Sequence, residues 1–116
     1  MRHVVKQPDA RRKALTEPVV LILTSLAQEP RHGYALIKDI EAASDGRVRL
    51  STGTLFGALR RLLEEAWIEP VDLADTSRDK QGYRLTAIGR SQLRHEIDRH
   101  AHVTRTAALR MKPKAV

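Results

Sequence analysis

The sequence predicts a mainly helical fold with a small β-hairpin. Three segments in the first two thirds of the chain carry apolar residues at the three- and four-residue spacing of amphipathic helices. Two short segments with strand character then flank the polar loop ADTSRDKQ, which indicates a hairpin. A long segment of weaker periodicity follows almost to the C-terminus. This order of elements is typical of a winged helix-turn-helix followed by a long C-terminal helix.

Length and composition describe one domain with an aliphatic core. The chain has 116 residues, 41% of them hydrophobic, and only four aromatic side chains. It has no cysteine, which excludes disulfides and cysteine-based metal or redox sites. The basic N-terminus lacks the apolar core of a signal peptide, and the longest apolar run, residues 19–23, is too short to span a bilayer. We therefore expect a soluble cytoplasmic protein that needs no cofactor and contacts no membrane.

The net charge of +7 is concentrated at the two ends of the chain. Residues 1–13 carry +4, residues 90–116 carry +5, and the residues between them carry −2. This distribution suits a polyanion such as nucleic acid, although a solvated basic tail has the same pattern. We expect a basic arm at 1–16, a winged helix-turn-helix at 17–86, and a C-terminal helix with a tail at 87–116.

The first two helices are delimited by turn and capping residues. Glu17-Pro18 opens the first helix, because proline at the first helical position has no hydrogen bond to lose. The turn EPRHG separates it from a second helix at about residues 33–44, and Gly46 suits the left-handed cap that ends this helix. A short strand is expected at residues 48–50, before the third helix.

The third helix, STGTLFGALRRLLEE, begins at Ser51 and reaches about Glu65 or Ala66. Its leucines predict a buried face centred on Leu59. The opposite face is then centred on Gly57 and Arg61, with Ala58 on its flank.

The last three elements follow from alternation and capping. Residues 68–73 predict a strand that Pro70 confines to an edge or a strand end. The segment GYRL, residues 82–85, predicts its partner. Thr86 is the expected N-cap of a helix that runs to about Met111.

The exposed face of the third helix has the composition of a DNA-reading surface. Its first turn combines hydroxyl groups with the free N–H groups of a helix N-terminus, which favour phosphate. Recognition helices place these N-terminal residues against base edges in the major groove, where Arg61 could reach a guanine. Alternatively, the glycines permit packing against another helix and the arginines pair with Glu64 and Glu65.

Two other elements supply candidate contacts. Tyr34 and Lys38 belong to the second helix, which crosses the DNA backbone in a helix-turn-helix; we expect the Tyr34 ring at the edge of the core with its hydroxyl outside. Trp67 is expected to seal the core. Arg78 and Lys80 lie in the wing loop, where two aspartates make a merely solvated loop an equal alternative. The full set of candidate DNA contacts is Tyr34, Lys38, Ser51, Thr52, Thr54, Gly57, Arg60, Arg61, Arg78 and Lys80.

Three stretches resemble the PadR family of bacterial transcriptional regulators, in its smaller subgroup with a single C-terminal helix. They are PVVLILTSLAQEPRHGYALIKDIE, LSTGTLFGALRRLLEEAWIE and YRLTAIGR, about half of the chain, in the family's order. The resemblance implies a homodimer that usually represses transcription and is released by an effector, with activation left open by the sequence. Because a dimer presents two recognition helices, we expect a pseudo-palindromic DNA operator. This sequence departs from the family pattern at three positions. Tyrosine is usual where Phe56 stands, and an aromatic residue is common where Gly82 stands. Ala66 replaces a frequent glycine, and we expect the effect to be minor.

The resemblance also implies that the last helix is the dimerisation element. The sequence allows this, because a weak and partly polar stripe recurs along the helix at three- and four-residue spacing. The candidate dimer contacts are Leu93, Ile97, Ala101 (or His100), Thr104, Ala108 and Met111. This helix lacks the tryptophan with which some family members bind flat aromatic drugs, so that activity is not expected.

Other classes of function lack a motif. His95, His100 and His102 lie on the last helix, but they do not have the spacing of a zinc hydrolase, and we expect no metal site. No nucleophile motif or glycine-rich phosphate loop suggests an enzyme. A winged helix that binds protein instead of DNA stays open, because the middle of the chain is acidic; such a module would show no salt-sensitive DNA binding.

Overall fold

The computed structural model describes residues 14–74 and 81–113, which form four helices and one small sheet. In chain order the elements are α1 (Glu17–Gln28), β1 (Arg31–His32), α2 (Gly33–Ala43), α3 (Thr52–Glu64), β2 (Ile68–Val71), β3 (Gly82–Leu85) and α4 (Ala87–Met111). The predicted winged-helix architecture with a long last helix is confirmed. No helix in these two ranges has the length and apolarity needed to cross a membrane.

Three hydroxyl side chains cap the helices. The Thr16 hydroxyl accepts from the Val19 N–H at 3.4 Å, Ser51 accepts from Thr54 at 3.1 Å, and Thr86 accepts from Gly89 at 3.0 Å. Each bond satisfies an N–H that has no partner inside its helix. The predicted start of α4 is thus confirmed.

The sheet is antiparallel, with strand order β1-β3-β2. Pro70 lies on the edge strand β2, opposite Tyr83 of β3. An edge position suits proline because proline has no N–H to donate to a second neighbouring strand. The third strand was expected at residues 48–50, but these residues make no ladder; instead β1, in the segment expected to be a turn, pairs with β3. A two-residue strand is formed by its tertiary partner and has no periodicity that the sequence could reveal.

The core lies between α1, α2, α3 and the sheet. Its largest fully buried side chains are Ile22, Leu23, Leu36, Ile40, Leu55, Leu59 and Ile68. Trp67 is buried beside them, as expected, and Leu93 brings the first turns of α4 into the same cluster. The core is therefore aliphatic with two aromatic residues, Trp67 and Tyr83, at its margin.

Left-handed residues end α2 and α3. Asp45 and Gly46 have φ of 55° and 79° after α2, so Gly46 is left-handed as predicted, but Asp45 and not Gly46 occupies the left-handed position directly after the C-cap Ser44. Ala66 has φ of 63° after α3, and the N–H groups of Ala66 and Trp67 donate to the carbonyls of Leu63 and Leu62. This is a Schellman end, which normally uses glycine. The replacement of glycine at position 66 is therefore not minor, because a Cβ strains this conformation.

Candidate nucleic-acid interface

The exposed face of α3 is turned relative to the sequence prediction. Ala58 was expected on the flank of the exposed face, but it is 6% exposed and belongs to the core. It is buried because α3 packs through Leu55, Ala58, Leu59 and Leu62, so the buried face is centred between these residues and not on Leu59. The middle of the exposed face is therefore a row formed by Gly53, Gly57, Arg60 and Glu64.

The two glycines of this row have no packing function in the described part of the chain. A Cβ built on Gly53 or Gly57 would meet no atom within 4 Å. By contrast, a Cβ on Gly33 would lie 2.7 Å from the Phe56 ring, and one on Gly89 would lie 2.0 Å from the Trp67 carbonyl oxygen. Packing explains Gly33 and Gly89, whereas Gly53 and Gly57 leave an open strip along α3.

The hydroxyl groups at the start of α3 differ in the hydrogen bonds that they make. Ser51 Oγ accepts from the Thr54 N–H and donates to Thr54 Oγ1 at 3.1 Å, so both of its roles are used within the cap. Thr54 Oγ1 accepts that bond and keeps its own hydrogen for a partner outside the helix. Thr52 is exposed. Thr52 and Thr54 are thus available for a phosphate, while Ser51 chiefly holds the helix end.

The arginines of α3 are not neutralised by their neighbours. Neither Arg60 nor Arg61 makes an ion pair within residues 14–74 and 81–113, so pairing with Glu64 or Glu65 is absent there. The two side chains differ in their surroundings. Arg61 lines a cavity of about 440 Å³ between α3 and the start of α1, whose walls are Ala14, Leu15, Thr16, Val19, Arg61, Leu62, Glu65 and Trp67.

An aromatic pair joins α2 to α3 beside the glycine strip. The Tyr34 and Phe56 ring centroids are 6.0 Å apart, with the planes inclined at 66°. Tyr34 is 55% exposed, so its ring lies on the surface and not at the edge of the core as expected. Lys38, one turn later on α2, is also exposed. Tyr34 and Lys38 therefore border the same surface as the start of α3. Arg78 and Lys80 of the wing lie outside the described residues.

The second half of α4 extends away from the protomer. Leu93 is 7% exposed and packs in the chain's own core, whereas Ile97 is 46% and Met111 82% exposed. Ala101, Thr104 and Ala108 are exposed as well, and in residues 97–111 only Thr106 is half-buried. About 22 Å of helix therefore lies beyond the core at 1.5 Å per residue.

A buried carboxylate marks the place where α4 leaves the core. Glu96 is 5% exposed; Arg99 Nη2 donates to it at 2.5 Å, and His100 Nε2 lies 2.6 Å from its other oxygen. Burial raises the pKa of Glu96, but hydrogen bonds from Arg99, His100 and the Leu15 backbone outweigh burial, so the pKa is lowered. Sequence reasoning missed this cluster; its only signal is the spacing of Glu96, Arg99 and His100 at three and four residues. No group of three metal-ligating side chains occurs in the described residues.

This chain is similar in sequence to part of a larger protein. An uncharacterized 37.1 kDa protein in transposon TN4556 of Streptomyces fradiae is 35% identical over 85 residues. The match covers 73% of this chain and 23% of that protein, so the chain spans less than a quarter of this curated relative.

Solved structures share the fold over most of the chain. A PadR-like transcriptional regulator from Bacillus cereus superposes with a TM-score of 0.68 at 25% identity, covering 83% of this chain and 92% of that one. A PadR family transcription regulator from Clostridium difficile gives 0.69 at 19% identity, covering 84% of this chain and 100% of that one. The model of the transcriptional regulator PadR-like family matches residues 22–95, which include α2, α3 and the whole sheet. The chain therefore belongs to the PadR-like family of transcriptional regulators, which are not enzymes.

Proposed function

We propose that the chain binds a specific DNA operator as a homodimer and represses transcription until an effector releases it. Membership of the family supplies the regulatory role. The observation that carries specific DNA binding is the open strip at Gly53 and Gly57, where α3 lacks bulk although none of the described residues packs against it. Glycine inside a helix costs about 0.5–1 kcal/mol relative to alanine. A DNA surface that approaches α3 closely would require small residues at these positions, which explains why the cost is tolerated.

The start of α3 would enter the major groove. Its free N–H groups and positive dipole end attract phosphate, and Thr52 and Thr54 offer hydroxyls beside them. Tyr34 and Lys38 would contact the backbone from α2. The basic ends of the chain would add affinity that does not depend on sequence and falls steeply with salt.

The projecting half of α4 supports a homodimer. This half of α4 packs against little in the protomer, and helical stability in proteins comes mostly from packing, so a partner that covers it would stabilise it. The proposed contacts are Ile97, Ala101, Thr104, Ala108 and Met111; Leu93 contributes mainly to the core of its own protomer. Two copies would present their α3 helices to half-sites about one helical turn apart on a pseudo-palindrome.

An effector would act on the dimer geometry. A small molecule can release DNA only if it binds one spacing of the two α3 helices better than the other.

The proposal is tested by fluorescence anisotropy with duplex DNA from the region upstream of the protein's own gene, at several salt concentrations. A scrambled duplex of equal length is the control. Tight binding to the native duplex alone, with a steep salt dependence, is the expected result. Equal and weak binding to both duplexes contradicts specific recognition and favours the alternative, in which the α3 surface binds another protein.

A further inference from the structure

We propose that Arg60, and not Arg61, is the arginine of α3 that reads a base, and that the base is guanine. This inference rests on the proposed DNA binding and assigns its specificity. The planar guanidinium can donate two hydrogen bonds to the O6 and N7 atoms of guanine in the major groove. Both arginines are exposed and could supply such a group, so the choice depends on where α3 holds them.

Burial on α3 determines which arginine faces outward. With Leu55, Ala58, Leu59 and Leu62 as the buried side, Arg60 lies about 30° from the middle of the exposed face and Arg61 about 70° from it, at 3.6 residues per turn. The burial of Ala58 decides this, because a buried face centred on Leu59 would place Arg61 at the middle.

The open strip shares its row with Arg60. Gly53 and Gly57 precede Arg60 by seven and three residues, so the three lie on one side of α3. DNA that approaches along the two glycines therefore reaches Arg60 next. Phe56 and Tyr34 border this side, and the exposed Lys38 lies one turn after Tyr34 on α2.

Arg61 lies on the opposite edge of the strip. Its side chain lines the cavity that Leu15, Thr16 and Val19 form at the start of α1, together with Glu65, the C-cap of α3. The apolar residues of this cavity favour packing of the Arg61 aliphatic stem against the protein. Arg61 would then add positive charge near the groove without reading a base.

The test is selection of binding sites from a library of random duplexes, carried out with the full chain and with three variants. Arg60→Ala should retain the enriched site apart from one base pair in each half, where the preference for guanine disappears, and should bind the wild-type site about tenfold or more weakly. Arg60→Lys keeps the charge, but its ammonium lacks the rigid planar fork of arginine, so it should weaken the same preference while keeping the salt dependence. Arg61→Ala, the matched control, should keep the guanine preference. Circular dichroism of each variant shows that α3 is intact.

The outcomes separate the two proposals. Loss of a base preference in Arg61→Ala with none in Arg60→Ala overturns the assignment while specific DNA binding stands. Full retention of every preference in Arg60→Ala overturns it as well. If the wild-type chain enriches no sequence at all, the proposed function fails and this inference fails with it.

Discussion

At the scale of single residues, Gly57 is expected to lower the stability of the fold and to favour DNA binding. Gly57→Ala adds a methyl group where no atom of residues 14–74 and 81–113 lies within 4 Å, so it should raise the free energy of unfolding by about 0.5–1 kcal/mol. The same methyl would stand between α3 and the groove, so DNA binding should weaken by about tenfold. Thermal unfolding and anisotropy on one preparation measure both effects.

The matched control for this variant is Gly89→Ala. Its Cβ would lie 2.0 Å from the Trp67 carbonyl oxygen, so this variant should be destabilised by about 1–3 kcal/mol or more. If Gly57→Ala is stabilised but binds DNA as tightly as the wild type, the open strip is not the DNA-binding surface.

Ala66 is a second residue at which one atom decides stability. Ala66→Gly removes the Cβ from a backbone with φ of 63° and should raise the free energy of unfolding by about 1 kcal/mol. The gain is reduced by the greater freedom of glycine in the unfolded chain. Urea unfolding at a fixed protein concentration measures it, and DNA binding should not change. A loss of stability would show that Ala66 is not held in the left-handed conformation.

At the scale of elements, Glu96 makes the packing of α4 against the core sensitive to acid. Its pKa is lowered in the folded chain from the usual 4.5, so its charge stabilises the fold above that pH and ceases to do so as the pH falls through the lowered value. Glu96→Gln should therefore cost about 1–2 kcal/mol at pH 7, and this cost should shrink at pH 3. Urea unfolding at the two pH values gives the difference.

The control for Glu96 is an exposed carboxylate. Glu69 pairs with Arg84 at 2.6 Å on the surface of the hairpin, and Glu69→Gln should change stability by less than about 1 kcal/mol at either pH. An equal cost of Glu96→Gln at pH 7 and pH 3 would contradict a role for its charge.

Elements with local signals were predictable, and those that depend on distant contacts were not. Thr86 and Gly46 mark helix ends through their own hydrogen bonds and backbone angles, so sequence reasoning found both. The strand at Arg31–His32 exists only because β3 lies beside it. Ala58 is small enough for either face of a helix, and only the packing of α3 decides that it is buried.

At the scale of the whole molecule, assembly can be tested on the projecting part of α4. Replacing Ile97 and Ala101 with aspartate puts charges into the proposed interface, where each would be buried without a partner. The double variant should have the mass of one 13.1 kDa chain by light scattering, against twice that mass for the wild type. Ile97 and Ala101 are exposed in the protomer, so the fold should survive, as circular dichroism would show.

His95→Asp supplies the matched control. His95 is exposed on the opposite side of α4, so the change alters the charge of the helix without altering the proposed interface. It should stay dimeric. The monomeric variant should also bind its operator more weakly, because two linked half-site contacts become two independent ones. A double variant that keeps twice the mass of one chain would place the interface elsewhere. A wild-type chain that is already monomeric would remove the dimer from the proposed function and leave α3 to recognise a single half-site.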